Sequence, residues 1–244
     1  MRRWAWRLVA LLALVVAAGA AYNFWLRDSG LVAVDTVTVE GVDSETAAGD
    51  QIRLALIEAG QGMSTLAPEP DRLRAAVADF PEVREVSADA SFPSSLTVRV
   101  EMRRPVARVG EGEDAVGIAG DGTVLPDAVV TELDIPGMAL NEPPESGTLA
   151  GPALEQAQVL GAAPPELLAV AESTVAGEAD GPVVILDGGI ELRFGDSSRA
   201  AEKWQAVSVV LTDPELELLD YVDLSSPGRP AVGGEGHQLP PVAP

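Results

Sequence analysis

The chain has no cysteine, a single histidine, and only four Trp, four Phe and two Tyr among 244 residues. Without cysteine there are no disulfide staples, no thiolate zinc sites and no cysteine nucleophile. The lack says nothing about compartment. The lone histidine, His237, falls in a Gly/Pro-rich stretch, residues 233–244, that reads as a disordered tail. A general base needs a fixed position, so a Ser-His-Asp triad is not expected in the folded part, and zinc has no ligand set. Basic residues are also scarce, 16 against 38 acidic ones, for a formal net charge of −22. Four of the basic residues (Arg2, Arg3, Arg7 and Arg27) lie within the first 27 positions, where there is no acid. The rest is therefore strongly acidic. Such a surface repels phosphate backbones and anionic lipid headgroups, so neither nucleic acid nor an anionic membrane face is an expected partner. The Gly110-x-Gly112 and Gly120-x-Gly122 pairs lack the Lys-Ser/Thr of a phosphate loop and read as turns. Carboxylates are abundant but scattered, and only a pair converging in space, as in a glycosidase, would make a hydrolase. No cofactor, metal or catalytic residue is expected.

Long apolar runs are absent too, with one exception. From Leu8 to Leu26 no residue is charged. A helix of that length spans about 28 Å, close to the hydrocarbon core of a bilayer. Trp4 and Trp6 flank one end, and Tyr22, Phe24 and Trp25 the other, as at two membrane interfaces. Two readings fit. In one, residues 8–26 are a transmembrane helix, residues 1–7 stay in the cytoplasm by the positive-inside rule, and Trp4, Trp6, Tyr22 and Trp25 sit at the interfaces. In the other the segment is a signal peptide cleaved after Ala18-Gly19-Ala20. The run continues past that point into aromatics, which favours the anchor. Either way residues 28–244 end up outside the cytoplasm.

From about residue 32 to 110 the pattern is α+β. Val37 and Val39 alternate with polar residues as a strand. Ser44 is a candidate N-cap for a helix carrying Ile52, Ala55, Leu56 and Ala59 on one stripe, and Gly60 closes it. Pro70 opens a second helix with Leu73, Ala76, Val77 and Phe80, and Pro81 stops it. Then Val86, Ala88, Ala90 and Phe92 alternate on one face of a strand; Leu96, Val98, Val100 and Met102 do so on the next. A third strand is expected at residues 106–109. The order is β-α-α-β-β, with two helices available to cover the apolar face.

The wording of this stretch resembles the membrane-proximal, POTRA-type module of the FtsQ/DivIB family of bacterial cell-division proteins. The matching segments are F-P-E-V at 80–83, F-P-S-S-L at 92–96, V-x-V at 98–100 and R-x-P-V-A at 103–107. Ala90 and Met102 depart from the family's usual basic residue and Glu. Further on, residues 116–126 read as a short hairpin, and Ile135-Pro136-Gly137 resembles a shortened family element. Residues 153–160 and 166–170 read as helical pieces, and residues 183–186 and 190–194 as strands about an Asp187-Gly188-Gly189 turn. A helix over 198–211 carries Ala200, Trp204, Val207 and Leu211 on one stripe, and residues 218–224 form a strand before S-S-P-G-R-P-A-V at 225–232. Trp204 is expected in the core, and Lys203 as a solvated neighbour hydrogen-bonding near the sheet.

The resemblance implies a POTRA-type domain over 32–110 and a mainly antiparallel β domain with flanking helices over 111–232. It implies a non-catalytic division protein at the septum that docks bitopic partners of the FtsB/FtsL type and links early to late division proteins. It places the partner surface on Leu224, Ser225, Ser226, Gly228, Arg229, Ala231 and Val232, supported by the helix over 198–211. An open sheet's last strand has free N–H and C=O groups for a partner strand, although Pro227 and Pro230 are residues that commonly guard such an edge. Two other readings are weighed: another anchored envelope protein of secretion or assembly, and an anchored envelope hydrolase. A barrel-bearing POTRA protein would need many further strands that this chain has no room for.

Overall fold

The computed structural model describes residues 11–14, 16, 33–43, 46–112, 115–126, 128, 130, 133–140, 144, 146–177, 181–214, 216 and 218–240. The chain forms two units, Met1–Met102 and Arg103–Pro244. Trp4, Trp6, Tyr22 and Trp25 lie outside the described residues, as does most of the run from Leu8 to Leu26. Among the described residues no helix is long and apolar enough to cross a membrane.

The first unit runs β1 (Thr36–Glu40), α1 (Ala47–Gly60), α2 (Pro70–Ala76), β2 (Val83–Ser91) and β3 (Ser95–Met102). The three strands form one sheet in the order β1-β3-β2, with β1 parallel and β2 antiparallel to β3. Alternation decides the face. Val86, Leu96, Val98 and Val100 turn inward onto Ile52, Leu56 and Leu73 of the helices, while Glu85, Arg99 and Glu101 face solvent. Thr46 caps α1, its hydroxyl accepting from the Gly49 N–H at 3.1 Å; the expected cap, Ser44, lies outside the described residues. Gly60 lets α1 approach the sheet, since a Cβ there would meet Leu96 and Val37 at 3.1 Å.

Two expectations are corrected here. Phe92 does not join Val86 and Ala90 on the inner face but is 74% exposed. The last β2 pair is Ser91 with Ser95, so Phe92 already belongs to the turn, where strand parity no longer holds. The strand expected at residues 106–109 exists, but it leaves this sheet for the next. The central strand β3 already has β1 on one side and β2 on the other, so no place remains beside it.

The second unit begins with that strand, β4 (Pro105–Val109), then β5 (Val116–Ala119), β6 (Val124–Leu125), β7 (Gly137–Met138), α3 (Gly151–Gly161), α4 (Pro165–Leu168), β8 (Ala171–Gly177), β9 (Gly181–Leu186), β10 (Glu191–Arg193), α5 (Ala200–Leu211), β11 (Leu218–Asp223) and β12 (Ala231–Gln238). The sheet order is β12-β11-β10-β9-β8-β7-β4-β5-β6. Most pairs are antiparallel, as expected. The pairs β4–β7, β7–β8 and β10–β11 are parallel, which long connections permit: α5 separates β10 from β11, and α3 and α4 separate β7 from β8. The β9–β10 turn needs Gly188 and Gly189 because both hold positive φ, 91° and 95°. The core gathers Leu186, Leu192, Phe194, Val207, Val222 and Leu224 around Trp204, all without exposure.

Trp204 is in the core as expected, and its indole N–H donates to the Val159 carbonyl at 2.8 Å, tying α5 to α3. Lys203 is not the solvated neighbour expected; it is 2% exposed. Its ammonium donates to the Phe194 carbonyl at 2.8 Å, the Asp196 carbonyl at 3.0 Å and Asp196 Oδ1 at 2.7 Å. Three acceptors satisfy the charge, which is how a buried ammonium is tolerated. The hydrogen bond from Lys203, then that from Ser198, lowers the Asp196 carboxyl to about 2. A depressed carboxylate stabilises above its unfolded value and loses that contribution as pH falls through the folded one. The second unit should therefore lose stability between about pH 4 and pH 2 through this group. Urea melts monitored by Trp204 fluorescence should show that loss, and Asp196→Asn should flatten it; an unchanged profile would assign the acid sensitivity elsewhere. Lys203→Met should cost more, about 1–3 kcal/mol, because it removes the ammonium donor from both carbonyls and leaves that of Phe194 only the Asp196 N–H.

Candidate functional site

The free edge at one end of the large sheet is β12, which pairs with β11 alone. Residues 233–238, expected as disordered tail, are part of this strand. Pairing with β11 orders them despite a composition poor in strand formers, Gly233, Gly234 and Gly236 among them. Neither proline guards the edge. Pro227 and Pro230 lie in the connection before it, where the Arg229 N–H donates to the Ser226 carbonyl at 2.9 Å.

The orientation of the edge follows from one bond. The Leu224 N–H donates to the Arg193 carbonyl, on the β10 side. Backbone groups alternate along a strand, so Val222 also turns to β10, while Tyr221 and Asp223 turn to β12. Their register partners, Gly233 and Ala231, turn to β11. Val232 between them therefore turns its N–H and C=O to the open edge. Its side chain stands opposite Val222 on the core face and is 42% exposed, so it forms an apolar rim to the core.

Beyond Gly233 the strand bulges. Leu219 pairs with His237 and Tyr221 with Gly233, so residues 234–236 oppose Asp220 alone. Asp220 Oδ1 accepts from the Gly236 N–H at 3.0 Å and lies 2.9 Å from His237 Nδ1. Gly234, at φ 86°, and Gly236 leave no room for a Cβ beside that carboxylate. His237 is thus held in place rather than loose in a tail. Its Nε2 lies against Gly189, where an added Cβ would stand 3.0 Å from it. On the outer face the Arg193 guanidinium lies 4.3 Å from the Tyr221 ring centroid and pairs with Glu191 at 2.7 Å. Among the described residues no three His, Asp or Glu side chains form a metal-binding group.

The structure divides the expected partner-binding residues. Ala231 and Val232 are on the edge strand; Ser225, Ser226, Gly228 and Arg229 form the exposed turn leading to it. Leu224 is not available, being wholly buried in the core because its parity matches Val222. The Asp223 carboxyl accepts from the Ser225 N–H at 2.9 Å, which lowers its pKa and shapes that turn. The edge residues from Gly233 to Gln238, and Asp220 beneath them, were not foreseen. Their glycines read as linker, and nothing in the local pattern marked Asp220 as their partner.

Fold and site together define an α+β protein whose mixed nine-stranded sheet ends in an unpaired, proline-free edge. No family profile matches the chain. It is similar to the cell division protein FtsQ of Myxococcus fulvus, 32% identical over 131 residues that cover 50% of this chain and 44% of that one. The chain thus spans less than half the length of that relative. The resemblance to the FtsQ family is met in this curated protein.

Proposed function

We propose that this chain is a non-catalytic division protein of the FtsQ type. Residues 8–26 anchor it in the plasma membrane with residues 1–7 in the cytoplasm, the first unit is its POTRA-type module, and it works at the division septum. Its partners are bitopic division proteins of the FtsB/FtsL type, which add a strand along β12, and through them it links early to late division proteins. The similarity to a cell division protein across half the chain carries the reading. The open β12 edge supports the docking mode, since main-chain pairing gives affinity and the apolar rim at Val232 gives selectivity. Arg229, exposed in an acidic protein, suits a carboxylate on the partner.

The test is in the source cell. A fluorescent fusion should collect at midcell, and depletion should give elongated, undivided cells in which the bitopic partners no longer gather at the septum. An even distribution over the envelope, with normal division after depletion, would defeat the reading.

A further inference from the structure

Phe92 is the most exposed of the large apolar side chains among the described residues, at 74%. Three segments gather at that end of the first unit. Ala33 forms a bridge with Ser64, and the Val34 N–H donates to the Met63 carbonyl at 2.8 Å. The N–H groups of Asp35 and Thr36 donate to the Ser94 carbonyl at 2.8 and 3.1 Å. The Thr65 hydroxyl donates to the Pro93 carbonyl at 3.2 Å. The hairpin tip that carries Phe92 therefore stands where the chain comes in from the apolar run, because β1 is parallel to β3 and Thr36 lies beside Ser95.

Two features point this end at a bilayer. Six residues lie between Leu26 and Ala33, so the seven Cα–Cα steps reach roughly 25 Å at most. Within a chain of net charge −22, residues 61–68 and 91–95 carry no charge at all, although Asp35 and Glu69 border them. An acidic surface is pushed away from headgroups, whereas an uncharged tip with a protruding aromatic ring is not.

We infer that the hairpin tip at residues 91–95 seats Phe92 in the headgroup region of the membrane, docking the first unit on the bilayer from which its chain emerges. The inference rests on the proposed anchor at residues 8–26. One phenylalanine would be a weak membrane ligand in free solution. Here the tether confines it to a thin layer above the lipid, where burial of the ring shifts the docked population roughly ten- to a hundredfold. Docking would fix the height and orientation of the first unit above the membrane.

The absence of cysteine makes the test clean. The full chain is reconstituted in phosphatidylcholine vesicles with a bimane on Ser91→Cys, an exposed position beside Phe92, or on Asp79→Cys, an exposed position before β2 at the opposite end of the same unit. Lipid bearing a nitroxide on its headgroup should quench the label at 91 and leave the label at 79 bright; adding Phe92→Glu should restore the fluorescence at 91. A label at 91 that stays bright in chains retained after carbonate washing would overturn the docking alone and assign Phe92 to a protein partner. Loss of the chain from washed vesicles would overturn the anchor and the docking together.

Discussion

Val232→Pro should weaken the proposed strand docking at the sheet edge while leaving the protein folded. The expected loss of affinity for a bitopic partner's extracytoplasmic segment is about 10- to 100-fold, from one deleted donor and one partner carbonyl left without it. The geometry makes the substitution selective. Val232 turns its N–H outward, so a proline there removes no bond of the β11–β12 ladder, and edge positions tolerate proline. Val232→Thr keeps the N–H and should bind within a few-fold of the parent. Titration of the two variants with the labelled partner segment, alongside thermal melts, separates binding from folding. Equal binding by the proline variant would exclude pairing along this edge. Truncation after Tyr221 is a poorer test, because it also removes Val222 and Leu224, both wholly buried.

The second large effect belongs to the first unit. Val98 has no exposure and sits in the middle of the central strand, between Val39 and Ala88. Val98→Asp places a carboxylate there with no partner, at a cost of about 4 kcal/mol or more. A unit of this size has only several kcal/mol to lose, so the variant should be largely unfolded across residues 33–102. Hydrogen exchange read by mass spectrometry should show peptides from β2 and β3 exchanging fast while those from α5 stay protected. Thr38→Asp, on the solvent face of the same sheet, is the control and should be tolerated. A Val98→Asp protein as protected as the parent would mean that the inner face has been misassigned.

The contrast between these two sites explains what could be read early. Val98 was legible because one rule governs it: in a hairpin with one apolar face, side-chain parity decides burial, and parity is a property of the sequence. The same rule placed Ile52 and Leu56 inward on α1 and Trp204 on α5, through the helical period. It failed at Phe92, the first residue past the last strand pair. Lys203 was misread because its burial depends on carbonyls of Phe194 and Asp196, supplied by a loop whose path the pattern does not encode.

What the sequence determined by itself is the set of local periods: two helices over a hairpin, a glycine turn at 188–189, a last helix with an apolar stripe, and the acidic, cysteine-free composition that excludes whole classes of chemistry. Only the tertiary structure decided which sheet received β4, that Leu224 is core, and that a glycine-rich stretch is the edge strand β12. Each of those outcomes depends on a partner distant in sequence. β4 cannot neighbour β3, both of whose sides are occupied, and finds its ladder on β5 and β7 instead, while β12 formed because β11 offered a ladder and Asp220 a carboxylate to hold the bulge. Pairing of that kind supplies the ordering free energy that the strand's own residues, mostly glycine and polar, do not have.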